Sequence, residues 1–172
     1  MRIDTAIYAG SSGGGLFNAK GELIGITNAG NNSDENINYA IPINIVKPVV
    51  ENIMRNYTGE RTTVHKILFG VTVTVDNTKY EYDTKTGYGK MTEDIIVKVV
   101  EPSSIASALG LQENDILTAI KVNDTTYTLN RYFELGDIAL TIKAGDSLSI
   151  SYTRGTDNLT TDVYHIKSAD IN

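Results

Sequence analysis

Apolar positions in the first third of the chain fall in short alternating runs broken by glycine and asparagine, a pattern of strands joined by tight turns. Leu16-Phe17 leads into Asn18-Ala19-Lys20-Gly21, a turn with glycine where positive φ is needed. Glu22 to Ile26 then predicts a buried strand, Asn28 to Asn36 a polar loop, and Ile37 to Ile41 an alternating strand. Beyond Pro42, Val46, Val49, Val50, Ile53 and Met54 recur at helical spacing, so Asn44 to Tyr57 predicts a helix. Asn44 is its candidate N-cap and Gly59 its stop.

Thr58 to Thr63 is polar and lacks a period, which puts a boundary there and divides the chain into residues 1–60 and 61–172. The second part opens on Ile67 to Val75, a β-branched alternation that predicts a strand. Asp76 to Asp94 is charged, tyrosine-rich and punctuated by glycine, and reads as a solvated hairpin or excursion. Ile95 to Val100 predicts a further strand, and Ser103 to Leu109 a short helix capped by Ser103 or Ser104 and ended near Gly110. Ile116 to Val122 predicts a strand turned by Asn123-Asp124, Asn130 to Leu140 a helix, and Ser147 to Tyr152 the strand that closes the sheet. The pattern is mainly β with a few helices.

Composition narrows the function classes. The 172 residues carry a net charge of −6 with no basic stripe, which argues against a nucleic-acid partner. No apolar run reaches the length of a membrane span, and no signal peptide is present. Without cysteine there are no disulfides, thiolate metal sites or cysteine nucleophiles. The acids between Asp76 and Asp94 lack the spacing of a calcium loop, so neither a metal nor another cofactor is expected.

The candidate chemistry is concentrated in Gly10-Ser11-Ser12-Gly13-Gly14. A serine among glycines presents its hydroxyl on a tight turn that can aim N–H groups at one point, as a nucleophile with its oxyanion hole requires. The plain alternative is a glycine-rich loop between strands. The string also fits the G-x-S-x-G elbow of α/β-hydrolases, with Asp137 and His165 as formal partners, but that elbow needs a helix after the serine and here a turn and a strand follow. A phosphate loop fails because Leu16 and Phe17 stand where lysine and serine or threonine belong.

The ordered set Asp4-Thr5-Ala6-Ile7, Gly10-Ser11-Ser12-Gly13-Gly14, Leu16-Phe17-Asn18, Gly21 to Ile26 and Tyr39-Ala40-Ile41-Pro42 resembles the HtrA/Deg family of trypsin-like serine proteases over about residues 3 to 57. The resemblance implies the C-terminal half of a trypsin-like β-barrel, with Ser12 as nucleophile and the backbone N–H groups of Gly10 and Ser12 as oxyanion hole. It also places Ile7 in the primary specificity pocket, suited to small or medium aliphatic side chains. The chain departs from the family at Tyr8 and Ser11, where asparagine is usual, and at Gly15, where proline or alanine is usual. These changes leave the nucleophile in place and bear on the rigidity of the loop.

In the second part, Phe69-Gly70-Val71, Glu101 to Ala106, Gly110 to Leu117 and Ala144-Gly145-Asp146 resemble the PDZ domain of the same proteases. Asn114 stands where the family has glycine; asparagine tolerates the left-handed backbone next best. By resemblance, the N–H groups of Leu68, Phe69, Gly70 and Val71 hold a peptide carboxylate and Val71 and Val73 offer a strand edge. The helix around Arg131 to Leu135 then forms the other wall, and the ligand adds as a strand.

Both histidines, His65 and His165, follow Ser12, whereas the family's base and acid precede the serine by a half-barrel. Asp4 is too close to Ser12 to be that acid and reads as structural. Without a base a serine hydroxyl is a weak nucleophile, so the expectation is a chain that does not cleave peptides alone. The expected partners are unfolded or C-terminal peptide segments and an N-terminal protease half. A homo-oligomer is also expected, because an orphaned half-barrel would be poorly ordered or packed on a second copy. The family implies an extracytoplasmic or membrane-anchored location. The rival expectation is a non-catalytic PDZ adaptor with a protease remnant.

Overall fold

The computed structural model describes residues 1–31, 34–60, 63–84 and 87–172. The chain separates into two compact units, Met1–Val64 and His65–Asn172.

In the first unit, β1 (Arg2–Ile3), β2 (Gly15–Phe17), β3 (Leu23–Asn31) and β4 (Asp34–Pro42) form an antiparallel sheet in the order β1-β4-β3-β2. Gly21, at φ +78, closes the Asn18 turn, whose Oδ1 accepts from the N–H groups of Lys20 and Glu22. The polar loop expected over Asn28 to Asn36 is instead largely ladder: Ala29 pairs with Tyr39, Gly30 with Asn38 and Asn31 with Asp34. Cross-strand pairing satisfies these backbones. Helix α1 (Ile43–Asn56) follows Pro42, which cannot cap through its side chain, so the expected Asn44 cap is already inside the helix. Among the described residues this unit buries a single apolar side chain, Ala40, while Phe17, Leu23, Val50 and Met54 are exposed. Asn38 and Asn52 are its other buried side chains.

The second unit has a true core. Its strands are β5 (Val71–Asp83), β6 (Tyr88–Val100), β7 (Ile116–Val122), β8 (Thr125–Thr128), β9 (Ser147–Arg154), β10 (Asp157–Thr160) and β11 (Tyr164–His165). The main path is β10-β9-β7-β6-β5, with β8 on β7 and β11 on β9. Alternating residues Ile95, Val97, Leu117, Ile120, Leu148 and Ile150 bury one face under α2 (Ile105–Ala108) and α3 (Glu134–Ala139). Ser104 caps α2 by accepting from the Ser107 N–H, and Gly110 ends that turn at φ +74. The core strands are tied to the helix side by Arg154, whose Nε and Nη2 donate to Asp115 at 2.7 and 2.8 Å, with Nη2 also donating to the Gly110 carbonyl at 3.0 Å. This pairing raises the Arg154 pKa, chiefly through the hydrogen bond to Asp115.

Two expected boundaries differ. The strand expected from Ile67 begins only at Val71, because Gly70 turns the chain at φ +75. The helix expected from Asn130 shortens to Glu134–Ala139, because Glu93 on β6 takes the approach to it: Arg131 Nε donates to Glu93 Oε1 at 2.6 Å and the Tyr132 N–H to Oε2 at 3.2 Å.

Candidate functional sites

In the first unit, the loop from Tyr8 to Gly14 is two consecutive turns. The Ser11 N–H donates to the Tyr8 carbonyl at 2.9 Å with Gly10 at φ +96, and the Gly14 N–H to the Ser11 carbonyl at 3.1 Å with Gly13 at φ +86. Both turns put glycine where positive φ is required, so the glycines are there for geometry. Ser12 occupies the corner of the second turn and is exposed. The loop is pinned to β3 at Thr27: the Gly13 N–H donates to the Thr27 carbonyl at 2.8 Å and the Thr27 N–H to the Gly14 carbonyl at 2.9 Å. The Thr27 hydroxyl donates to the Ser11 carbonyl and lies 3.2 Å from that of Gly14.

This wiring uses the N–H groups of Ser11, Gly13 and Gly14 and leaves those of Gly10 and Ser12 without an acceptor among the described residues. The Ser12 hydroxyl donates to the Asn28 carbonyl at 2.8 Å, so its proton faces a main-chain acceptor and not a base. Ile7 is half-buried beside the first turn, and Asp4 is exposed. Both histidines belong to the second unit. At Gly15 a Cβ would fall 2.7 Å from the Phe17 ring, so the neighbouring ring fills the space a larger residue would take. Thr27 and Asn28 were not singled out from sequence. They organise the loop from across the sheet, and only the strand pairing reveals them.

The second unit carries a groove of about 350 Å³ between the start of β5 and α3, lined by Lys66, Leu68, Gly70, Val71, Leu135 and Ala139 among others. Here too the main chain is selectively wired. Phe69 and Gly70 use their carbonyls, accepting from Ala106 at 2.9 Å and Glu101 at 2.8 Å. The N–H groups of Leu68, Phe69 and Gly70 have no acceptor among the described residues. Phe69 is buried and anchors the loop in the core, while Leu68 is half exposed over the groove. Val71 and Val73 begin β5, the terminal strand of its sheet, so their outer edge is unpaired among the described residues. The far wall lies at Leu135, Gly136 and Ala139, one turn further along than the Arg131 to Leu135 stretch expected from sequence. Lys66 places a cation on the same groove and was not anticipated.

Asp137 on α3 has its pKa raised, first by burial and then by the neighbouring charge of Glu134. No group of three or more His, Cys, Asp or Glu among the described residues is placed to hold a metal ion. No helix among them is long and apolar enough to cross a membrane.

A trypsin family model matches residues 2–50. The serine protease Do-like HtrB of Bacillus subtilis is 27% identical over 158 residues, spanning 90% of this chain and 33% of that protein. The serine endoprotease DegS of Haemophilus influenzae is 31% identical over 129 residues, 72% of this chain and 32% of that protein. Among solved structures, an HtrA-type protease AlgW with a decapeptide superposes at TM-score 0.56 and 26% identity, covering 96% of this chain and 49% of that one. The chain thus spans about a third of the length of these curated relatives and about half of the solved chain.

Proposed function

The chain belongs to the HtrA-type family of trypsin-like serine proteases, with the fold of a partial trypsin-like barrel followed by a PDZ domain, and from that premise we propose a division of labour between its two units. The first carries the nucleophile half of a serine endopeptidase centre, and the second captures the C-terminal end of an extended polypeptide. Residues 1–60 correspond to the protease part and 61–172 to the PDZ domain.

In this reading Ser12 Oγ attacks the scissile carbonyl, and the N–H groups of Gly10 and Ser12 receive the oxyanion. The observation that carries it is the selective wiring of the loop, which spends every N–H from Ser11 to Gly14 except that of Ser12 and also spares that of Gly10. Unused donors beside a nucleophile are what transition-state stabilisation requires. Ile7 contributes to the pocket for the residue before the scissile bond. The histidine and aspartate come from an N-terminal protease half, which packs on the apolar surface that the first unit leaves exposed. A second copy of the chain is the other occupant of that surface. The chain of 172 residues is inactive alone, because a serine without a base lacks most of the rate enhancement.

The three free N–H groups at Leu68, Phe69 and Gly70 support carboxylate capture, with Lys66 adding positive charge and the unpaired edge at Val71 and Val73 adding a strand. The AlgW structures contain bound peptides, which favours a peptide ligand here.

A second reading, a non-catalytic peptide-binding adaptor with a protease remnant, is favoured by one observation. The Ser12 hydroxyl donates to the Asn28 carbonyl. Treatment with a serine-directed fluorophosphonate, read by intact mass and adduct mapping, tests inactivity of the chain alone. The expected result is no adduct. A stoichiometric adduct on Ser12, absent in Ser12→Ala, would show that the chain assembles a working base.

A further inference from the structure

The hairpin of β5 and β6 runs well past the groove, and its far half carries three exposed tyrosines, Tyr80 and Tyr82 on one face and Tyr88 on the other. Directly opposed residues of an antiparallel pair share a face. Val73 opposes Val97 and Val75 opposes Ile95, so the groove side of β5 carries Val71, Val73 and Val75. Simple alternation would send Tyr80 and Tyr82 to the opposite face. It does not, because β5 holds one extra residue between Asp76 and Lys79, where Asn77 adopts φ +49 and its side-chain amide donates to Asp94 at 2.6 Å. This bulge re-aims the strand. Tyr80 opposes Met91 and Tyr82 opposes Gly89, and Met91 shares its face with Glu93 and Ile95.

The two faces of the arm differ in chemistry. Tyr80 and Tyr82 are 65% and 58% exposed on the groove side. On the other side Glu81 meets Lys90 at 3.6 Å beside Lys79, with Tyr88 the single exposed tyrosine there among the described residues. Gly89 lets the Tyr80 ring lie across the ribbon, since a Cβ there would fall 2.0 Å from the phenol oxygen and 2.2 Å from Cζ. The result is an exposed aromatic platform on the same face as the groove floor. Glu93 ties the segment leading into α3 to this face through Arg131 and the Tyr132 N–H, so arm and groove wall are held together.

We propose that Tyr80, Tyr82 and Met91 form a second contact for the polypeptide whose carboxylate enters the Leu68–Gly70 loop, gripping its aromatic or apolar residues upstream. This rests on the carboxylate-capture reading above. The Gly70 carbonyl turns inward to the Glu101 N–H, so alternation turns the main-chain groups of Val71, Val73 and Val75 outward, where an antiparallel ligand strand pairs. Main-chain pairing ends at the bulge, which interrupts the edge. The bulge breaks the continuity of pairing along this edge, and the exposed side chains of Tyr80 and Tyr82 lie just beyond it. At about 3.3 Å per residue, the ligand reaches Tyr80 and Tyr82 about eight to ten residues before its carboxylate. The ligand class is therefore an extended chain of about ten residues or more, with aromatic or aliphatic side chains at that distance.

Fluorescence anisotropy with the whole 172-residue chain tests this using three labelled probes that share a four-residue end with valine and a free carboxylate, with the C-terminal amide of the shortest as a control. One is the tetrapeptide, one a dodecapeptide with serines upstream, and one a dodecapeptide with phenylalanine eight and ten residues before the end. The phenylalanine probe is expected to bind about tenfold more tightly than the serine probe, as two aromatic contacts would give. In Tyr80→Ser/Tyr82→Ser that advantage falls to about twofold or less, with tetrapeptide affinity unchanged. Tyr82→Ser alone leaves the ring over Gly89 in place and removes about half of the effect on a logarithmic scale. Equal affinity of the two dodecapeptides for the unsubstituted chain, or an advantage that survives in both variants, overturns the proposal while tetrapeptide binding stands. Equal binding of the tetrapeptide and its C-terminal amide, or no binding of any probe, overturns the carboxylate reading and this inference with it.

Discussion

Gly70 lies directly against Ser104: a Cβ at residue 70 would fall 2.1 Å from the Ser104 Cβ and 2.6 Å from its hydroxyl oxygen. The same residue sits at φ +75, has no acceptor for its N–H among the described residues, and gives its carbonyl to Glu101. Two independent constraints therefore require glycine here. One is backbone conformation, and the other is the packing of the loop on the cap of α2.

Gly70→Ala is expected to destabilise the second unit by about 3 kcal/mol, combining about 1–2 kcal/mol for the left-handed backbone with a similar overpacking cost. Ser104→Gly opens the space and, as a glycine cap, costs only about a few tenths of a kcal/mol. The double variant should recover the packing part and keep the conformational part. Denaturant unfolding of the four proteins measures the cycle. Additive losses would show that the two residues do not meet.

The Ser12 loop is pinned from β3 at Thr27. Thr27→Val keeps the β3 ladder but removes the hydroxyl that donates to the Ser11 carbonyl, at a cost of about 1 kcal/mol. Faster amide exchange is expected at Gly13 and Gly14, with Thr27→Ser restoring protection. Unchanged exchange at both glycines in the valine variant would contradict this account of the loop.

Asp137 gives a pH signature. Its pKa is raised by burial and then by Glu134, so the folded state holds its proton more tightly than the unfolded chain does. The favourable contribution of the protonated form is complete below the ordinary carboxylate range and is lost as pH rises through the raised value. Asp137→Asn is therefore expected to be more stable than the unsubstituted chain at pH 7. That advantage should shrink as pH falls toward the ordinary carboxylate range. Thermal unfolding across pH 3 to 8 measures it, and a pH-independent difference would contradict the assignment.

Much of this arrangement was readable where the signal is local. Ile116–Val122 follows directly from its alternation, and Ser104 and Gly110 mark the two ends of the short helix between them. The Tyr-rich stretch from Asp76 to Asp94 forms the hairpin its turn residues suggest. The delayed start of β5 at Gly70 and the shifted cap of α1 have local causes, whereas the larger misses involve partners distant in sequence. Asn28 to Asn31 reads as loop because composition is polar, and becomes strand because β4 pairs with it. The segment before α3 reads as helix because its residues suit one, and is held open by Glu93 thirty-eight residues away from Arg131. Thr27 and Asn28 hold the Ser12 loop from across a sheet whose register no local pattern fixes. The two turns around Ser12, by contrast, are legible locally, since glycine at positions 10 and 13 serves turn geometry that no other residue adopts easily.

The most direct test of the account compares binding of a valine-ended tetrapeptide with its C-terminal amide, on the unsubstituted chain and on Lys66→Ala, by titration calorimetry. The free acid is expected to bind at least about tenfold more tightly than the amide, as charge-assisted hydrogen bonds from the Leu68, Phe69 and Gly70 N–H groups would give. Lys66→Ala should lower acid affinity and leave amide affinity unchanged. Indistinguishable affinities for acid and amide would contradict carboxylate capture at this loop.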